Sequence, residues 1–243
     1  MSELTINLDL LAALRSLSRQ NEPDPVQAAV LAEIAGADGI SVQVRRDRRY
    51  VRERDLYLLN AVTKTRLNIE IPPSEELIGK VLEVKPHMVT IVADAPDPEA
   101  PVGPVDFGDS QVDFRDLSER FKGVGVHVCY MVEPRSDQVK GAVKAGATAV
   151  MIDCVGYTQA RLADEAQAEL DQIDNAGRAA SKAGLTVIFS RGITYRNIAP
   201  LAELGYVDEF LVGHAVCARA VLVGMEQAVR EMKGLLRGAV RPQ

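Results

Sequence analysis

Eight short apolar runs constrain this chain more than any other feature, because each ends in polar residues or glycine and gives way to a stretch with helical spacing. The runs are Leu4–Leu10, Gly39–Val44, Arg66–Ile71, Met88–Ala93, Gly125–Val132, Ala149–Cys154, Thr186–Ser190 and Glu209–His214. Most are rich in Val and Ile, as parallel strands covered on both faces are. Between them, Val26–Ile34 behind Pro25, Glu75–Val84, Gln138–Ala145, Ala163–Ala183 and Val216–Leu236 carry apolar residues at helical intervals. Strand and helix alternate from one end to the other, which predicts an α/β fold. An open doubly wound sheet gives the same alternation. Eight units in 243 residues match the size of a closed (β/α)8 TIM barrel, and that is the expected fold, as one domain over residues 1–243.

With 47% hydrophobic residues, a chain of this length buries a core without disulfides or a structural metal. Cys129, Cys154 and Cys217 are odd in number and widely spaced, so neither a disulfide framework nor a zinc cluster is expected. The formal charge of −6 gives no electrostatic case for nucleic acid, and no apolar run approaches membrane-spanning length. No signal-peptide pattern opens the sequence, and a cytoplasmic protein is the expectation. One local exception to the acidic balance is the group Arg45, Arg46, Arg48, Arg49, Arg52 and Arg54 after the second run. It reads either as a phosphate clamp or as a solvated face paired with Asp47, Glu53 and Asp55, with only Arg45 expected to face a site.

In such a barrel, chemistry gathers where the carboxyl ends of the strands meet the following loops. The alternation of the first run places Asn7 and Asp9 on one side of a strand, and the second places Gln43 and Arg45 likewise. The third offers Asn68 and Glu70 ahead of a stiff Pro72-Pro73 exit. A carboxyl group there loses water, which moves its pKa toward the range useful for acid and base work, so Glu70 is the foremost catalytic candidate; a structural ion pair with Arg45 is the plainer reading. The sixth run ends in Asp153-Cys154 and the seventh in Arg191-Gly192, with Thr194 expected to begin the next helix; the eighth ends in Gly213-His214. The last two endings suit a phosphate bound by backbone N–H groups and a helix N-terminus, although glycine also serves tight turns. His87 is placed at the opposite face of the barrel and His127 in core packing. Asp9, Glu70 and Asp153 form a conceivable magnesium set, but no metal is expected.

Asn7-Leu8-Asp9, Pro23-Asp24-Pro25-Val26-Gln27-Ala28-Ala29, Ala35-Gly36-Ala37-Asp38-Gly39-Ile40, Arg45 with Asp47-Arg48-Arg49, Asn68-Ile69-Glu70, Lys85-Pro86-His87, Gly192-Ile193-Thr194-Tyr195 with Asn197, and Gly213-His214-Ala215 with Arg219-Ala220-Val221 together resemble the pyridoxine 5'-phosphate synthase family. The resemblance runs over almost the whole chain in the family's order. It implies a cytoplasmic, homo-oligomeric barrel, an octamer in the family, acting as a transferase of vitamin B6 (pyridoxine) biosynthesis. The family reaction condenses 1-deoxy-D-xylulose 5-phosphate with 3-amino-2-oxopropyl phosphate, releases phosphate and water, and uses no cofactor. By matching position, Glu70 is the acid/base, Gly192, Gly213 and His214 are phosphate-binding turns, and Asn7, Asp9 and Arg45 touch substrate.

Departures cluster as tightly as matches. Where the family has imidazoles, this chain has Leu10, Gln43 and Arg191; the family's Glu and His on strand six are Met151 and Asp153; and Ala93-Asp94-Ala95-Pro96 replaces a basic loop, opening a Pro-rich, acidic stretch from Asp94 to Asp109 in the place of a lid. Gln cannot titrate, Leu cannot hydrogen-bond and Arg stays charged. Three readings follow: a condensation of phosphorylated ketose and aminoketone substrates with altered chemistry, in which Glu70 moves protons and Arg191 acts electrostatically; the family reaction with Asp153, Gln43 and water in place of the imidazoles; and a non-catalytic protein that binds a phosphorylated metabolite. The helix from Val216 to Leu236, with Met225, Val229 and Met232, is assigned to barrel packing.

Overall fold

A computed structural model describes residues 2–18, 20–94, 101–109 and 111–238. Eight parallel strands close into a barrel in chain order: β1 (Glu3–Asn7), β2 (Gly39–Gln43), β3 (Arg66–Ile71), β4 (Met88–Ile91), β5 (His127–Val132), β6 (Ala149–Asp153), β7 (Thr186–Ser190) and β8 (Glu209–Val212). The helices around them are α1 (Asp9–Ser18), α2 (Pro25–Ile34), α3 (Glu53–Val62), α4 (Glu75–Val84), α5 (Phe114–Lys122), α6 (Ser136–Lys144), α7 (Val155–Gln159), α8 (Ala163–Lys182), α9 (Ile198–Ala202), α10 (His214–Val223) and α11 (Met225–Gly238). The closed (β/α)8 barrel is the fold the alternation predicts, and the open sheet is excluded because β1 pairs with β8.

Local chemistry sets the element ends. Asp24 accepts from Val26 N–H (2.9 Å) ahead of Pro25, and Asp113 accepts from Arg115 and Asp116 N–H, capping α2 and α5. The first run is shorter than its alternation suggests. Asn7 Oδ1 accepts from the Asp9 N–H (2.9 Å), a turn that stops β1 and starts α1 at Asp9. Asp9 is therefore a helix residue, not a strand neighbour of Asn7. The expected C-terminal helix is two helices, because Gly224 adopts φ 83° between α10 and α11. Thr194 lies in a loop, with α9 starting at Ile198. His127 is exposed at the start of β5, its ring 5.0 Å from that of His87, so it is not a core residue.

The main core lies between strands and helices and includes Ile6, Ile40, Ile69, Val128, Ile152, Phe189 and Phe210, all fully buried. Met225, Val229 and Met232 pack into it, as assigned from the helical spacing. Inward-facing positions divide the barrel interior in two. Met88, Cys129, Met131, Ala149, Met151, Ile188 and Leu211 form a separate apolar cluster, largely on β5–β8. Opposite it runs a polar file on β2–β4, in which Thr90 Oγ1 donates to Asn68 Oδ1 (2.9 Å), Asn68 Nδ2 to Ser41 Oγ (3.4 Å) and Ser41 Oγ to Glu70 Oε1 (2.8 Å). A fully bonded file of this kind fixes side chains that would be costly to bury singly. On the amino-terminal side of the barrel, Asp38 accepts from the Leu4 N–H (2.7 Å) and pairs with Lys233 of α11.

Candidate active site

The carboxyl ends of the strands surround two neighbouring cavities, one of about 600 Å³ and one of about 360 Å³. Asn7, Gln43 and His214 line both. Glu70, Arg191, Gly192 and Gly213 belong to the larger; Asp9, Leu10, Arg45 and Tyr50 belong to the smaller. Nine of the ten candidate residues thus share one mouth. Asp153 is the exception: it lines neither cavity, its Oδ1 accepts from Val155 N–H (2.9 Å), and it reaches the site through Arg191, whose Nε is 3.6 Å away.

Glu70 is 5% exposed, with Oε1 accepting from Ser41 Oγ and, at 3.3 Å, from Asn7 Nδ2. Burial pushes its pKa up, against the opposing pull of those hydrogen bonds and of the Arg191 charge. Asp9 is pushed up to about 7, first by burial and then by the nearby Glu70 charge, while the Gln43 N–H (2.7 Å to Oδ1), Asn7 Nδ2 (2.8 Å to Oδ2) and Arg45 pull the other way. The plainer reading of Glu70, an ion pair with Arg45, does not describe it. Arg45 Nε instead donates to both Asp47 oxygens at 3.3 Å. Of the other arginines, Arg46 pairs with Asp94, Arg48 with Glu76 and Arg49 with Asp47, all outside the cavities, so the cluster is mainly a solvated, paired surface.

The seventh and eighth strand ends supply the turns. Arg191 (φ 76°) and Gly192 (φ 68°) are both left-handed, a conformation that costs a non-glycine residue about 1–2 kcal/mol and that clusters at ligand sites. The Arg191 guanidinium is tethered to the Val102 carbonyl. A side chain at 192 would overlap Thr158, and Asn197 closes the turn by donating to the Gly192 carbonyl (3.0 Å) and accepting from Thr194 N–H (2.6 Å). Gly213 precedes α10 and packs its backbone on Asn7; a Cβ there would stand 3.1 Å from Asn7 Cβ. Gln43 Nε2 is buried and has no hydrogen-bond partner among the described residues. An unspent amide donor at the wall of both cavities is an open position for a ligand oxygen.

Ser41 was not among the candidates, although the alternation that picks Gln43 and Arg45 reaches it two residues earlier. The same extension would have paired it with Asn68. Leu10, Gln43 and Arg191, the three positions where the resemblance leads one to expect imidazoles, all line the mouth. Part of the Asp94–Asp109 stretch, which stands where the resemblance places a closing loop, lies outside the described residues, at 95–100; Pro101 and Val102 line the larger cavity.

The family model of the pyridoxal phosphate biosynthesis protein PdxJ matches residues 4–238. The chain belongs to the PdxJ family. It is 41% identical over 239 residues to the pyridoxine 5'-phosphate synthase of Syntrophotalea carbinolica, covering 98% of this chain and 100% of that one. The like-named proteins of a Synechococcus strain and of Geobacter sulfurreducens are 40% and 38% identical, over 96% and 98% of this chain and 98% and 100% of theirs. Solved barrels of other sequence share the PdxJ-family fold alone. Thiamine phosphate pyrophosphorylase from Pyrococcus furiosus superposes with a TM-score of 0.65 at 16% identity, covering 99% of this chain and 97% of that one. Phosphoribosyl anthranilate isomerase from Thermus thermophilus gives 0.61 at 15%, covering 98% and 100%. No described helix is long and apolar enough to cross a membrane.

Proposed function

We propose that this chain is a pyridoxine 5'-phosphate synthase, condensing 1-deoxy-D-xylulose 5-phosphate with 3-amino-2-oxopropyl phosphate through proton carriers other than imidazole. The observation that carries the reading is one cavity that joins a buried carboxyl, Glu70, to the glycine turns at 192 and 213. Glu70 moves protons at the reacting carbons. Gly192, Gly213 and His214 at the start of α10 hold phosphate through backbone donors. Arg191 stabilises developing negative charge electrostatically, with Asp153 orienting it. Gln43 offers its unspent amide donor to a substrate oxygen, and Asn7, Asp9 and Arg45 complete the substrate contacts.

Incubating the protein with both substrates and reading the product by mass spectrometry, with Glu70→Gln as control, tests this. Pyridoxine 5'-phosphate from the unmutated protein alone supports the reading. A folded protein that is thermally stabilised by pyridoxine 5'-phosphate but makes none is instead a binding protein. The finer setting follows the family: a cytoplasmic homo-oligomer. Leu17 on α1 and Val221 and Leu222 on α10 stand 80%, 73% and 77% exposed, apolar side chains suited to burial against another copy, and sedimentation of the purified protein checks it.

A further inference from the structure

The two cavities separate the two carboxyl groups of the mouth. Glu70 faces the larger and Asp9 the smaller. Asn7 joins them, and its orientation is fixed by its own hydrogen bonds. Its amide oxygen is taken by the Asp9 N–H, so its nitrogen points the other way and donates to Asp9 Oδ2 (2.8 Å) and to Glu70 Oε1 (3.3 Å). Two carboxyl groups held by one nitrogen are close enough that the charge of one opposes ionisation of the other.

We propose that Asp9 in its protonated form is the general acid of this site and Glu70 in its carboxylate form the base, acting from opposite sides on reactants that meet where the two cavities adjoin. This rests on the condensation proposed above. The surroundings assign the roles. Burial raises Glu70 as it raises Asp9, but around Glu70 the Ser41 Oγ, Asn7 Nδ2 and the Arg191 charge favour the carboxylate, and no like charge is set against it there as Glu70 is set against Asp9. Asp9 has burial and the Glu70 charge against it, with the Gln43 N–H, Asn7 Nδ2 and Arg45 as its supports, and Cys217 of α10 beside it is a thiol pushed up by burial and by Asp9 itself. His214 of α10 also lines both cavities, on the side of the phosphate turns. Leu10, Gln43 and Arg191 exchange no protons near neutral pH.

Each water lost in such a condensation fits this division. Glu70 takes a proton from a substrate carbon or nitrogen, and the electron pair of that bond becomes the new double bond. The C–O bond opposite breaks, and the departing hydroxyl takes the proton of Asp9 and leaves as water. The pair holds one proton before the step and one after, moved from Asp9 to Glu70. Exchange with solvent returns it.

Two measurements test the proposal. Infrared spectra of the folded, ligand-free protein are expected to show a protonated carboxyl that titrates near pH 7, is absent in Asp9→Asn, and shifts down by about one unit or more in Glu70→Gln. In steady-state assays, kcat/KM is expected to fall as pH rises through the same midpoint. Asp9→Asn should lower kcat by about 10²–10⁴-fold, change either KM by far less than that, and abolish that limb; Asp9→Glu should restore part of the rate with the limb. No titrating carboxyl, or an Asp9→Asn protein that keeps its rate and its pH limb, overturns the assignment. A carboxyl pair that titrates as described in a protein that makes no product supports the shared proton and refutes the condensation instead.

Discussion

Arg15→Met should be among the most destabilising single substitutions in this chain. Arg15 on α1 and Asp55 on α3 are each 1% exposed and joined by two hydrogen bonds of 3.0 and 2.6 Å, and Arg15 also donates to the Tyr50 carbonyl at 2.9 Å. Removing the guanidinium leaves a buried carboxylate supported by the Arg52 N–H at 2.8 Å. An uncompensated buried charge of this sort costs about 3–5 kcal/mol. For a chain of this size that corresponds to a fall in Tm of roughly 6–20 °C. Urea unfolding of Arg15→Met, Asp55→Leu and the double variant measures it directly. The double variant should recover most of the loss, with a coupling energy of at least about 2 kcal/mol, because no charge is then left behind. A cost below about 1 kcal/mol for Arg15→Met would mean that water reaches the pair and that the burial argument is wrong. Function should follow, since Tyr50 (φ 71°) lines the smaller cavity and depends on Arg15 for its carbonyl.

Glu70→Gln should lower turnover by about 10²–10⁴-fold while phosphate-ligand affinity, followed by calorimetry, stays within a few-fold, because the carboxyl and the glycine turns occupy different parts of the cavity. Full rate in that variant makes Glu70 structural. Gly213→Val should abolish inorganic phosphate binding by crowding Asn7 and covering the backbone donors, and unchanged affinity removes the phosphate assignment. The raised carboxyl at Asp9 also sets a pH dependence of stability. The folded state holds a proton there that the unfolded chain has released, so this contribution is complete below about pH 4 and is lost as pH rises through about 7. The stability of the unmutated protein relative to Asp9→Asn should therefore decline across that window, by at most roughly 4 kcal/mol. A flat difference from pH 4 to 8 contradicts the shift.

The barrel was legible because its signal is periodic and local: each buried strand is a short apolar run, and each run ends where a polar side chain or glycine takes over. The same logic named the residues of the mouth without any knowledge of their contacts. It erred where one residue does two jobs. Asp9 follows Asn7 in alternation with Ile6 and Leu8, yet the Asn7 side chain ends the strand and turns Asp9 into the first residue of a helix. Helices α1, α3, α5 and α7 lie outside the stretches that helical spacing picks out: α1 overlaps that misread strand, α3 follows a run of arginines, and α7 is five residues long. The Arg15–Asp55 pair lies beyond sequence reading altogether. Its partners are separated by forty positions, and either residue alone looks like surface charge.

Strand β1 pairs with β8, and the mouth is stitched at that seam: Asn7 packs against Gly213, and far below it Lys233 secures Asp38, which in turn holds Leu4. Arg191, Gly192, Gly213 and His214 come from the last quarter of the chain, and Asn7, which holds both carboxyl groups, packs against it. A nascent chain that has made seven strands still lacks Gly213 and His214, and with them the backing of Asn7 and one side of both cavities. Closure between the two ends of a chain carries a large loop-closure cost and slows folding. Turnover in a cell extract would accordingly count finished barrels and nothing earlier, and circular permutants that move the ends away from this seam offer a way to ask whether the order of synthesis matters to assembling the site.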